Sequence, residues 1–158
     1  MMPEQKNKPA AVELTLVTRE MEIPEWTSRD QLVALLHEKM SPYNDTVEDI
    51  QRGLDYAFSD QPGMGGFVTL ASRDHRLLGA LVMLSTGMKG YIPENLLLMV
   101  VVDPELRGLG IGREIIDFSV ARCEGDVKLH VEHDNPAQRL YLRMGFTSKY
   151  IEMRLERS

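Results

Sequence analysis

Apolar and polar positions change period several times along the chain, and each change marks an element. Val12, Leu14 and Leu16 alternate with polar residues up to Arg19, which predicts a half-buried strand on that face, broken by Pro24. From a cap at Thr27 or Ser28, Leu32, Val33, Leu35, Leu36 and Met40 recur at helical spacing until Ser41-Pro42. Thr46 with Asp49 resembles a capping box, and Ile50, Leu54, Tyr56, Ala57 and Phe58 supply a second helical stripe. Residues 66–72 and 77–85, joined by Arg73-Asp74-His75, predict an antiparallel hairpin, and 87–93 a loop. Leu96 to Val102 is apolar at every position, as expected for a strand covered on both faces, and Pro104 stops it. Helices are then predicted over 110–123 and 136–144, with strands over 127–131 and 146–155. The order β-α-α-β-β-β-α-β-α-β implies one α/β domain whose mixed, mostly antiparallel central sheet is flanked by helices.

Composition narrows the class. With 158 residues the chain fits one domain, residues 11–158, preceded by a polar stretch over 1–10 that reads as a flexible tail. A net charge of −6 gives no footprint for unspecific nucleic-acid binding. The longest aliphatic run, 96–102, is far below the ~20 residues a membrane span needs, so no membrane is expected. Cys123 is the only cysteine, which rules out an intrachain disulfide and a multi-cysteine metal site and fits a reducing, cytoplasmic setting. His37 and His75 are separated in sequence from His130 and His133 and from each other, so no spacing suggests a metal site.

The most informative stretch is Asp103-Pro104-Glu105-Leu106-Arg107-Gly108-Leu109-Gly110-Ile111-Gly112-Arg113, between a buried strand and an amphipathic helix. Glycines there let the backbone turn tightly and approach a ligand, and the free amides of a helix N-terminus attract anions. The spacing matches neither the dinucleotide fingerprint nor the phosphate-binding loop of nucleotide hydrolases. Arg-x-x-Gly-x-Gly, present as Arg107, Gly110 and Gly112, closely resembles the acetyl-coenzyme A signature of the GCN5-related N-acetyltransferase (GNAT) family. Asn135, Ala137, Leu140, Tyr141, Gly145 and Phe146 follow in the family's order. The specific resemblance spans 95–146.

The resemblance implies a GNAT-like acyl-CoA N-acyltransferase fold and transfer of an acetyl group from acetyl-CoA to a primary amine of a small molecule or a peptide. It implies four tasks. Pyrophosphate falls to the backbone of Gly108, Leu109, Gly110, Ile111 and Gly112, helped by Arg107 and Arg113, although Arg107 could instead pair with Glu105. The pantetheine arm lies along the backbone of Met99, Val100, Val101 and Val102, with Asn135 opposite. Tyr141 protonates the leaving thiolate, since a phenol of pKa ~10 is a protonated donor at neutral pH. A base must deprotonate the incoming ammonium. The strand carboxylate many members carry is replaced by Leu98 and Met99, and His130, in Leu129-His130-Val131, matches the base position of protein N-terminal acetyltransferases. Glu94 or water are alternatives, Glu132 and His133 face loop solvent, and Met40, Met88 and Met99 could line an acceptor pocket. A non-catalytic acyl-CoA sensor of the same fold is the competing reading. The family allows a homodimer, but no exposed apolar stripe in the sequence compels one.

Overall fold

The computed structural model describes residues 11–43 and 45–158; the expected tail over 1–10 lies outside the described residues. The chain builds a five-stranded sheet with helices on both faces. Its elements are β1 (Glu13–Val17), α1 (Arg29–Glu38), α2 (Val47–Ala57), β2 (Gly66–Arg73), β3 (Arg76–Ser85), β4 (Asn95–Val102), α3 (Ile111–Val120), β5 (Val127–Leu129) and α4 (Ala137–Arg143). Strand order follows the chain, β1 to β4 being antiparallel and β4–β5 parallel. The mixed, mostly antiparallel single-domain architecture expected from the element order is the one observed.

Local chemistry explains the boundaries. Ser28 Oγ accepts the Gln31 N–H to start α1, and Thr46 Oγ1 accepts the Asp49 N–H to start α2. The β2–β3 hairpin closes in two residues, Asp74 and His75, both at positive φ (50° and 57°), the conformation that matches strand twist in tight hairpins. The His75 ring stacks on Trp26 at 5.8 Å.

Two apolar layers sandwich the sheet. Leu32, Leu36, Ile50 and Leu54 of α1 and α2 are fully buried against one face, with Val68, Leu70, Val82, Met99 and Val101. Ile111, Ile115, Ile116 and Tyr141 of α3 and α4 cover the other, with Leu81, Met83 and Leu97. Each such aliphatic side chain contributes roughly 1.5–3 kcal/mol of transfer free energy.

Four expectations are corrected. In β1 the deepest residue is Val17, in the α1/α2 layer, whereas Leu14 only packs partly on the other side and Leu16 is exposed. In β4 coverage is incomplete, because a bulge interrupts it: Val82 faces Met99 but Met83 faces Leu97, leaving Leu98 as the extra residue and partly exposed. That residue resets the alternation, so Leu96, Met99 and Val101 serve one layer and Leu97, Val100 and Val102 the other. β5 is three residues long and ends before His130 and Val131. Residues 146–155 form no strand; Ile151, Met153 and Leu155 alternate as a strand would, but no ladder hydrogen bonds hold them and all three are exposed.

Candidate active site

The glycine turn joins β4 to α3. Asp103, itself buried, accepts the Glu105 N–H and starts a single 3-10 turn over Pro104–Leu106. The chain then passes Gly108 (φ 80°) and Gly110 (φ 76°), both left-handed, and enters α3 with Gly110 as cap. Leu109 N–H reaches Leu106 O at 3.4 Å and Glu114 N–H bonds Gly110 O. The N–H groups of Gly108, Gly110, Ile111, Gly112 and Arg113 have no protein acceptor among the described residues. A Cβ at Gly108 or Gly110 would meet nothing within 4 Å, so the backbone is open at both positions. At Gly112 the nearest neighbours are Val102 of β4 and Leu140 of α4, both at 3.8 Å. Strand, turn and α4 therefore converge on the first turn of α3.

Arg107 is exposed and forms no ion pair among the described residues. Glu105 pairs instead with Arg76 at 3.7 Å, which leaves Arg107 available. Arg113 reaches Asp117 at 3.7 Å along α3.

Beside the turn the sheet opens. β5 pairs with β4 at Asn95, Leu96 and Leu97 only, and stops where the bulge begins. Past that point Met99, Val100, Val101 and Val102 have β3 on one side and, among the described residues, no strand on the other. The exposed ladder groups are a template for an extended polar chain.

Tyr141 lies in the α3/α4 layer, in the same apolar cluster as Ile111 and Leu106, with its ring edge-on to Phe146 at 5.9 Å. Burial pushes its hydroxyl above the ordinary phenol value, so it stays protonated at neutral pH. Among the described residues the hydroxyl bonds no protein group, and it is not among the sealed polar atoms of the core, so it opens to solvent. Asn135 turns its Oδ1 onto the Ala137 N–H at 2.9 Å, opening α4, and faces a cavity of about 500 Å³ that His133 and Arg139 also line.

His130 stands just past the end of β5 and is exposed. Partial burial, with Lys128 and Arg154 nearby, lowers its pKa against the opposing pull of Glu152, so the imidazole is neutral at neutral pH. Glu94 is already committed: its Oε2 accepts the Asp126 N–H at 2.7 Å, where the chain enters β5. Met99 is buried in the α1/α2 layer, Met40 packs against it, and Met88 is exposed, so the three do not line a common pocket. A link the sequence did not reveal spans the α1–α2 and β5–α4 loops, where the Tyr43 hydroxyl donates to Asp134 O at 3.0 Å. No group of three or more His, Cys, Asp or Glu side chains among the described residues is arranged to hold a metal, and no helix there is long and apolar enough to cross a membrane.

The sequence pattern of one family, described as an acetyltransferase (GNAT) domain, matches residues 65–148, just over half of the chain. No curated protein matches. Among solved structures, an integron cassette protein from the mobile metagenome of V. cholerae is 19% identical, with 92% of each chain covered and a TM-score of 0.64. An aminoglycoside acetyltransferase from an uncultured soil metagenomic sample is 17% identical, covering 93% of this chain and 95% of its own, with a TM-score of 0.64. A ribosomal-protein-alanine N-acetyltransferase from Brucella melitensis is 15% identical, covering 92% and 99%, with a TM-score of 0.60. These likenesses concern the fold.

Proposed function

Since this chain belongs to the GNAT acetyltransferase family, we propose that it transfers an acetyl group from acetyl-CoA to a primary amine of a small molecule or a peptide, in the cytoplasm. The observation that carries the reading is the left-handed Gly108–Gly110 turn, whose unbonded N–H groups open beside the unpaired edge of β4. The two features fit one ligand, a diphosphate joined to an amide-bearing arm, because the first offers anion donors and the second a strand edge.

Each residue then has a defined task. The amides of residues 108–112 bind pyrophosphate, with the Arg107 guanidinium as a mobile counter-charge. Met99, Val100, Val101 and Val102 present backbone groups to the pantetheine arm, and Asn135 retains its amide nitrogen for the far side. Tyr141 donates its proton to the sulfur as the carbon–sulfur bond breaks, and its raised pKa keeps that proton in place at working pH. His130 accepts the proton that the ammonium must lose before its lone pair can attack the thioester carbon, a role its lowered pKa supports.

The test is an acetyl-CoA turnover screen against amines, diamines, amino acids and peptides, with thiol release as readout, beside calorimetry of coenzyme A binding. Turnover on an amine supports transfer. Binding without turnover on any acceptor replaces it with an acyl-CoA sensor, and absence of binding removes both.

A further inference from the structure

Leu98 is 36% exposed between two neighbours, Leu97 and Met99, that are 3% exposed each. An apolar side chain open in the middle of a strand borders unfilled space. Leu98 is the extra residue of the bulge, and it stands just past Leu97, the last β4 residue that β5 pairs. Gly53 of α2 lies against it. A Cβ on Gly53 would come 2.7 Å from Leu98 Cδ2 and 3.1 Å from Met99 Cε, closer than carbons pack, so the missing side chain gives the Leu98 isobutyl group its seat. No turn asks for glycine there, because Gly53 is inside a helix and its φ is not positive. Glycine in a helix interior is less stable than alanine, and the contact with Leu98 accounts for its presence.

The length of the cofactor arm leads to the same residue. Gly112, in the first turn of α3, lies beside Val102, so an arm leaving a pyrophosphate there starts at the end of β4 and runs back along Val101, Val100 and Met99. From phosphate oxygen to sulfur, pantetheine has the backbone bonds of about four extended residues, roughly 13 Å. Its thioester then arrives at Leu98. Beyond the sulfur an acyl group has no way along the strand, because β4 and β5 are paired at Leu97 and Leu129. It has to leave the plane of the sheet. On the α3/α4 face, Leu97, Tyr141 and Leu129 already fill the position as one apolar cluster. On the other face stands Leu98, half open beside Gly53. We propose that Leu98 sets the length of the acyl group, its isobutyl side chain closing the site just past the acetyl methyl, so that acetyl is selected over longer acyl chains. Leu98 determines specificity, and Gly53 positions Leu98. This inference rests on the reading of acyl-CoA along β4 and adds to it the residue that measures the acyl chain.

Calorimetry of the full chain with coenzyme A, acetyl-CoA and butyryl-CoA tests it without any acceptor. The parent should bind butyryl-CoA at least about tenfold more weakly than acetyl-CoA, because surplus methylenes at a closed apolar site carry a penalty of that order. Leu98→Ala removes the barrier and should bring the two affinities within about threefold of each other. Gly53→Ala acts in the opposite sense. The atoms its Cβ meets are the free ends of flexible side chains, so Leu98 gives way toward the cleft, and discrimination against butyryl-CoA should sharpen at least about threefold. Added to Leu98→Ala, the same substitution should lose that effect, since the side chain it displaces is gone. A purely structural role for Gly53 would move Tm and leave the affinity ratio where it was. Circular dichroism confirms that each variant is folded. Equal binding of acetyl-CoA and butyryl-CoA by the parent, or a ratio unchanged in Leu98→Ala, overturns the proposal while coenzyme A binding keeps the wider reading; no binding of coenzyme A at all overturns both.

Discussion

The carboxylate of Glu94 accepts the Asp126 N–H at 2.7 Å and occupies the space into which a side chain on Gly125 would grow. This contact fixes the point where the chain enters β5, the strand that precedes His130, and Gly125 holds the left-handed φ of 81° that permits it. Gly125→Ala should therefore cost about 1–3 kcal/mol, from positive φ and from displacement of the carboxylate, seen as a lowered Tm. Glu94→Ala should destabilise as well. In the folded Glu94→Ala protein the acid limb of the pH–rate profile should keep its midpoint; a shifted midpoint would make Glu94 the base.

The base role proposed for His130 predicts the pH dependence of turnover. Its pKa is lowered, so it is neutral, and competent as a base, above that value and protonated below it. Rate should accordingly fall as pH drops, with a midpoint beneath the ordinary histidine value of ~6.5. His130→Ala should remove this limb and lose roughly 10²–10⁴-fold in rate while coenzyme A binding persists. Identical limbs in parent and variant would assign the proton to water or another group.

Tyr141→Phe removes a proton and leaves the ring packed on Phe146. Because the hydroxyl bonds no protein group among the described residues, stability should change by less than about 0.5 kcal/mol in denaturant titrations. Acetyl transfer should slow by roughly 10²-fold or more. Unchanged kcat would leave Tyr141 a packing residue.

Gly110→Val tests the turn from two directions. The residue sits at φ 76°, which costs an L side chain about 1–2 kcal/mol, and its Cβ would project into the open space where the pyrophosphate is expected. Calorimetry should show coenzyme A affinity reduced at least about tenfold in a protein that still folds. Arg107→Ala should weaken binding less, and most at low salt, since an exposed cation acts through screened charge. Unchanged affinity in folded Gly110→Val would place the ligand elsewhere.

Cys123 is partly buried, and burial raises its thiol pKa above the usual range, while its Sγ lies 3.5 Å from Ser119 O. Alkylation by iodoacetamide should run slower than for free cysteine at neutral pH, where little thiolate is present. A rate equal to that of free cysteine would contradict the burial.

Much of this was legible from residue order. Caps at Ser28 and Thr46, the span of β4 and the glycine turn could be read because each depends on neighbours close in sequence. The face of β1 could not, since Leu14, Leu16 and Val17 compete for layers supplied by helices far along the chain. Residues 146–155 mislead for a related reason: alternation records a capacity to pair, and pairing requires an edge that another segment must provide. In the site, the Gly108–Gly110 conformation was foreseeable from glycine alone. The commitment of Glu94 to Asp126 and the bond from Tyr43 to Asp134 were not, because they join residues 32 and 91 positions apart.

Leu98 shows how little separates a sheet from a cleft. Remove that single residue and the rest of β4 would alternate without interruption, Leu96, Met99 and Val101 to one side, Leu97, Val100 and Val102 to the other. Nothing in the pleat would then part β4 from β5 after Leu97, and the two could zip together to the end, consuming the hydrogen-bonding groups left over for a guest. A more orderly sheet would be a sturdier one with its doorway sewn shut. Shortening this strand by one residue should thus be worse for binding than for folding, the reverse of what a deletion in an apolar core usually does.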